Sequence, residues 1–180
     1  MLRDKNWKFL TIYLEWMGES WFTVCMILKE AKVKYGVALR GLDKNAVVLD
    51  AAEKVAALAW EHWKENLSLD VESAVVFLLN RKNRVQSVVT ISTGTTGATL
   101  MGCKEVFRVA VMELANSIIV VHNHPSGDPS PSAADTNVTR KLREASKILE
   151  IDILDHVVIG DPACDPSGLG YFSYREAGIL

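Results

Sequence analysis

The residues of this chain best suited to chemistry are His122 and His124, two imidazoles with one residue between them where the apolar run Ile118 to Val121 ends. A strand alternates its side chains, so residues two apart face one side and both rings can address a single point. A metal held there needs a third ligand. Asp135 is placed to supply it. The stretch Pro125 to Pro131 holds three prolines and a glycine, excludes helix and interior strand, and leads the chain into a helix starting after Ser132. Two neutral imidazoles and a carboxylate suit zinc, and three protein ligands leave a fourth position for water, the mark of a catalytic rather than a structural site.

Plainer readings exist for the same residues. A buried His-x-His is more often two core histidines with satisfied partners than a metal site. Ser132-Ala133-Ala134-Asp135 has the spacing of a capping box, in which Ser132 caps the helix and Asp135 reaches back to its amide. That alone accounts for both residues.

The elements that must position these groups are unevenly legible. Residues 1 to 50 are the least readable: Trp7 to Trp16 fits strand or helix, and Trp21 to Leu28 reads as a strand without clean alternation. From Asp50, which can cap it, a helix with Val55, Leu58, Ala59 and Trp63 on one face runs to Lys64-Glu65-Asn66. Ser73 to Leu79 and Val85 to Ile91 are β-rich runs around the polar turn Asn80 to Arg84, which predicts a hairpin, and Ser92 to Gly97 reads as a loop. A second amphipathic helix is expected over Cys103 to Ala115, with Val106, Phe107, Ala110 and Leu114 on one side. Ile118 to Val121 has the wholly apolar character of a buried strand. The helix after Ser132 carries Val138, Leu142, Ala145 and Leu149, and strands at Ile153 to Ile159 and Tyr171 to Tyr174 flank a loop at Gly160 to Gly170. This order predicts an α/β (α+β) fold, a mixed β-sheet flanked by helices.

Composition narrows the class. The chain has 180 residues, 49% of them apolar, which is enough for a real core. A formal charge of −2 offers no basic footprint for nucleic acid. Cys25, Cys103 and Cys164 are scattered and odd in number, which fits a reducing cytosol rather than a disulfide framework. Asp4, Lys8 and Glu15 interrupt the N-terminal apolar residues and no cleavage site follows, so a signal peptide is not expected. No apolar run approaches the roughly 18 to 20 residues that cross a bilayer, so a soluble protein away from the membrane is expected. A nucleobase deaminase would need H-x-E with a later P-C-x-x-C, and neither is present. The adjacent letters His122-Asn123-His124 are no evidence for an HNH nuclease, whose three residues are spread over a ββα unit.

His122-x-His124, followed after seven residues by Ser132-x-x-Asp135, resembles the JAMM (MPN-plus) metalloprotease signature. The filling, Val121-His122-Asn123-His124-Pro125-Ser126-Gly127-Asp128-Pro129-Ser130-Pro131-Ser132, is similar to the RadC family of bacterial proteins, whose name links them to DNA repair. Lys104-Glu105-Val106-Phe107-Arg108, Leu154 to Gly160, and Tyr171-Phe172-Ser173 with Glu176 and Gly178 extend the likeness over about residues 48 to 180. Lys104 stands where the family commonly has arginine, and the Gly160 to Gly170 loop is longer than usual. The expected organisation is an N-terminal extension at 1–47 before a RadC-like JAB/MPN domain at 48–180.

The resemblance implies an MPN/JAB-like core of the cytidine-deaminase-like kind, one Zn2+ ion on His122, His124 and Asp135, and a zinc-bound water as nucleophile. It further implies a general-base glutamate at the start of the first core strand, which is Glu72 here, and an oxyanion-steadying serine, Ser132. The activity expected is that of a metallopeptidase or isopeptidase in the bacterial cytoplasm, acting on a protein or peptide. Two alternatives stand beside it: a RadC-like DNA repair or recombination factor, which the charge does not support, and a non-catalytic metal-binding interaction domain. Glu72 also reads as an ordinary surface carboxylate, and Glu105, Asp70 and Asp155 are rival bases. Glu105 is expected to face solvent in its helix's first turn. His156 can reach the same face from a neighbouring strand, where a packed residue or a partner to a ligand is the expected role.

Overall fold

A computed structural model of the chain describes residues 47–94 and 101–180. The readings at Trp7 to Trp16 and Trp21 to Leu28 lie outside the described residues. Chain order is helix α1 (Ala52–Asn66), strands β1 (Ser73–Leu79) and β2 (Val85–Thr93), helix α2 (Cys103–Met112), strand β3 (Ser117–Asn123), helix α3 (Ala133–Leu149), and strands β4 (Asp152–Ile159) and β5 (Tyr171–Ser173). The five strands form one mixed sheet in the order β2-β1-β3-β4-β5. Only the β3–β4 pairing is parallel.

Both faces of this sheet are covered, which explains why β1 and β3 are buried along their whole length instead of alternating with polar residues. Ala74, Val76 and Leu78 pack with Ile118 and Val120 against Val106, Phe107 and Ala110 of α2 and Leu142 of α3. Val75, Phe77 and Leu79 pack with Ile119 and Val121 on the other face against Val55, Ala56, Ala59 and Trp63 of α1. By the same alternation His122 faces the α2–α3 side.

Several local expectations are corrected. Helix α1 starts at Ala52 with Ala51 in the cap position and no side-chain cap, because Asp50 is drawn to Lys54 Nζ at 2.7 Å. Ser92 and Thr93 belong to β2, since Ala74 and Ser73 pair with them and prolong the ladder. Leu114 lies beyond the end of α2 with φ of 52° and is 82% exposed, so its place in the helical repeat has no physical counterpart. Leu149, in the last turn of α3, is 43% exposed because the packed stretch of that helix ends before it. Glu105 is half-buried rather than solvent-facing.

A parallel pair needs a crossover, and α3 is the crossover between β3 and β4. The helix must run back along the sheet, so its N-terminus lies beside the carboxyl end of β3. Ligands of open α/β sheets are met at such strand ends. The connecting loop is pinned: His124 N–H donates to the Ile159 carbonyl at 2.9 Å, and Asp161 N–H to the Gly127 carbonyl at 2.7 Å. Gly127 has φ of 83°, and a Cβ on Gly160 would overlap the Gly127 carbonyl and Pro129, so both turns require glycine. Among the described residues no helix is long and apolar enough to cross a membrane.

Candidate metal centre

The β3 end and the first turn of α3 bring His122, His124 and Asp135 together. His122 Nε2 and His124 Nε2 are 3.2 Å apart. Asp135 Oδ1 lies 3.5 Å from His122 Nε2, and Oδ2 lies 3.6 Å from His124 Nε2. Among the described residues this is the group of His, Cys, Asp and Glu that could hold a metal ion. Tetrahedral coordination with bonds of about 2.0–2.1 Å sets ligand atoms about 3.3–3.4 Å apart, close to the spacings found. The His122 and Asp135 side chains are 2% and 5% exposed and that of His124 is 17% exposed, so the cluster is open to solvent on the His124 side.

The hydrogen bonds behind the rings determine which nitrogen carries each proton. His124 Nδ1 is 2.8 Å from the Asp128 carbonyl, which can only accept, so Nδ1 holds the hydrogen and Nε2 has a lone pair in the neutral ring. His122 is set through a longer chain. Thr139 Oγ1 gives its hydrogen to the Asp135 carbonyl at 2.7 Å, and His156 Nδ1 lies 2.6 Å from Thr139 Oγ1. The hydroxyl has one hydrogen, so it accepts from His156 Nδ1–H. His156 Nε2 is left as an acceptor for His122 Nδ1–H, 2.9 Å away, and His122 Nε2 also presents a lone pair. His156 is fully buried and stacks on Tyr174, with centroids 4.9 Å apart and planes 6° from parallel. Two lone pairs and a carboxylate facing one another call for a cation between them.

Burial holds the His122 imidazole down to about 4 against the opposing pull of Asp135, and burial lowers His156 as well. His124 moves up, mainly through its contact with Asp135. Burial pushes the Asp135 carboxyl up, but His124 and Ser132 outweigh it and hold it well below the usual carboxylate range. Acid therefore destabilises the metal-free protein. Between about 6.5, where histidine of the unfolded chain titrates, and about 4, the unfolded state binds more protons than the folded one, so stability falls as pH falls. His124, with its raised value, has already given its full contribution below about 6.5, and Asp135 acts only below the ordinary carboxylate value of about 3.9, so neither cancels the effect. Urea unfolding of chelator-treated protein is expected to lose about 3 kcal/mol between pH 7 and pH 4. An unchanged urea midpoint over that range contradicts the neutral, buried state of these rings.

Asp135 also completes the helix cap. Its Oδ2 accepts from Ser132 N–H at 2.8 Å and Ser132 Oγ–H at 2.5 Å, and its own N–H donates to Ser132 Oγ at 3.1 Å. Oδ1 takes no part in the cap and faces His122. In this arrangement the one hydroxyl hydrogen of Ser132 is directed to Asp135. Glu72 is exposed and stands just before β1. Ala74 and His122 form the last pair of the β1–β3 ladder, and Glu72 lies two residues before Ala74. Its charge contributes to the raised His124 value.

The rival carboxylates are engaged elsewhere. Asp155 is buried and accepts from Ser173 Oγ and the Arg175 and His156 amides, and Asp70 is exposed beside Ser68. Thr139 and the Asp128 carbonyl were not singled out by the sequence. The available signal for Thr139 was its place four residues after Asp135, on the same helical face.

A family model described as a RadC-like JAB domain matches residues 49–179. The chain belongs to the RadC family. The RadC likeness also appears among curated bacterial relatives. A UPF0758 protein of Symbiobacterium thermophilum is 44% identical over 112 residues, 62% of this chain and 45% of the relative. One of Pelodictyon phaeoclathratiforme is 41% identical over 142 residues, 78% of this chain and 58% of the relative. One of Chlorobium luteolum is 46% identical over 109 residues, 61% and 46% of the two chains. The chain spans about half the length of these relatives. The matched RadC segment contains Glu72, His122, His124, Ser132, Asp135, Thr139 and His156.

Proposed function

We propose that the domain is a zinc-dependent hydrolase of peptide or isopeptide bonds, with His122, His124 and Asp135 as ligands. The carrying observation is the convergence of two imidazole lone pairs and a carboxylate at tetrahedral spacing, open on the His124 side. Zinc in such a site supplies Lewis acidity, polarising a carbonyl and lowering the pKa of water toward about 7. Glu72, on the open side, accepts the proton of the attacking water and returns it to the leaving amine. Ser132 steadies the developing oxyanion when its O–H turns from Asp135 toward the substrate. The likeness of the ligand pattern to the JAMM signature favours an amide as the bond attacked.

The test is exposure of a mixed peptide library to zinc-loaded protein, with new amino termini read by mass spectrometry. The expected result is cleavage that disappears on zinc removal and returns on its addition. New termini no more abundant than in the zinc-stripped control refute the reading.

A further inference from the structure

We infer that Asn123, the residue between the two histidines, is a positioning residue that sets Glu72 against the metal group; this rests on the role proposed for Glu72. Alternation directs the Asn123 amide away from the imidazoles, where it is 1% exposed and fully engaged. Its Oδ1 accepts from Ser73 N–H at 2.7 Å, and its Nδ2 donates to the Leu69 carbonyl at 3.2 Å and the Val71 carbonyl at 3.1 Å. These partners admit one orientation of the amide, because a flipped group would set oxygen against two carbonyls and NH2 against an N–H.

The three backbone groups bracket Glu72 on both sides. The β1–β3 pairing stops at Ala74 and His122, so no backbone ladder to β3 holds residues 69–73. The Asn123 side chain takes its place. On the other side the Glu72 carbonyl accepts from Gly94 N–H at 2.9 Å, a tie to the end of β2. The Asn123 bonds therefore join the segment carrying the carboxylate to the strand carrying both imidazoles. Without them the buried Ser73 amide loses its partner, the Leu69 and Val71 carbonyls lose their tie to β3, and the segment lifts toward water.

The test is a double-mutant cycle on cobalt-loaded protein, with the pH midpoint of the visible spectrum as readout. In the otherwise unaltered protein, Glu72→Gln removes a nearby negative charge and lowers the midpoint by about half a pH unit or more. In the Asn123→Ala background the same change has little effect, cobalt remains bound, and the Ser73 amide exchanges at least about tenfold faster with solvent. Asn123→Leu, which keeps the side-chain volume, repeats the cycle if alanine does not fold. An equal Glu72→Gln shift in both backgrounds overturns the inference and leaves the Glu72 role intact. Loss of cobalt from both Asn123 variants also overturns it, since the amide would then serve the histidines. No shift in the unaltered background refutes the Glu72 role, and the inference falls with it.

Discussion

His124→Ala leaves the domain folded and strips it of zinc. Three protein ligands become two, and losing a direct ligand costs more than losing a partner behind one, for which a 10- to 100-fold drop in affinity is usual. A loss above about 100-fold is therefore expected, against about one equivalent of zinc in the unaltered protein. The fold tolerates the change because the His124 side chain is 17% exposed and, apart from His122 and Asp135, its polar partner among the described residues is the Asp128 carbonyl at the surface. His122 and Asp135 are less clean targets: one is in the buried chain of histidines, and the other would take the α3 cap with it, at about 1 kcal/mol. Metal analysis after dialysis against a weak chelator, with circular dichroism on the same sample, reads both halves of the expectation. Near-full zinc in the variant removes His124 from the ligand set.

Glu72→Gln keeps the zinc and loses the chemistry. A positioned general base contributes about 10²- to 10⁴-fold, and glutamine has the size of glutamate without its ability to take a proton. The residue is exposed, and its backbone bond to Gly94 is indifferent to the side chain, so neither stability nor metal content should move. The rate of peptide cleavage falls by that factor with zinc unchanged. A variant that cleaves at the full rate shows that another group moves the proton. A variant that loses zinc makes Glu72 part of the metal's own surroundings.

The strong local signals survived folding. The strands at β1 and β3, the two-residue spacing of the histidines and the start of α3 at Ser132 stand where the pattern put them, because each depends on a contiguous apolar run, on alternation or on capping within a few residues. The two competing accounts of Asp135 proved compatible, since one carboxylate oxygen serves the cap and the other is turned to His122. What failed was extrapolation. Leu114 and Leu149 continue a helical period past the point where α2 and α3 have anything to pack against. Asp50 could have capped a helix but met Lys54 first. His156 stands on the neighbouring strand behind a ligand, as its reading allowed, whereas the part of Thr139 behind it was out of reach, because it depends on α3 and β4 meeting beside β3, which no local spacing announces.

On the proposed reading, the link from Thr139 through His156 to His122 bears on which ions suit the centre. Both rings are clamped from behind and the carboxylate is tied to a helix end, so the triangle of donor atoms cannot breathe to suit its guest. Calcium, with an appetite for six to eight oxygens, is poorly served by two nitrogens and one carboxylate. On the proposed reading, the choice among ions is thus made by the kind of donor the scaffold offers rather than by the room it leaves.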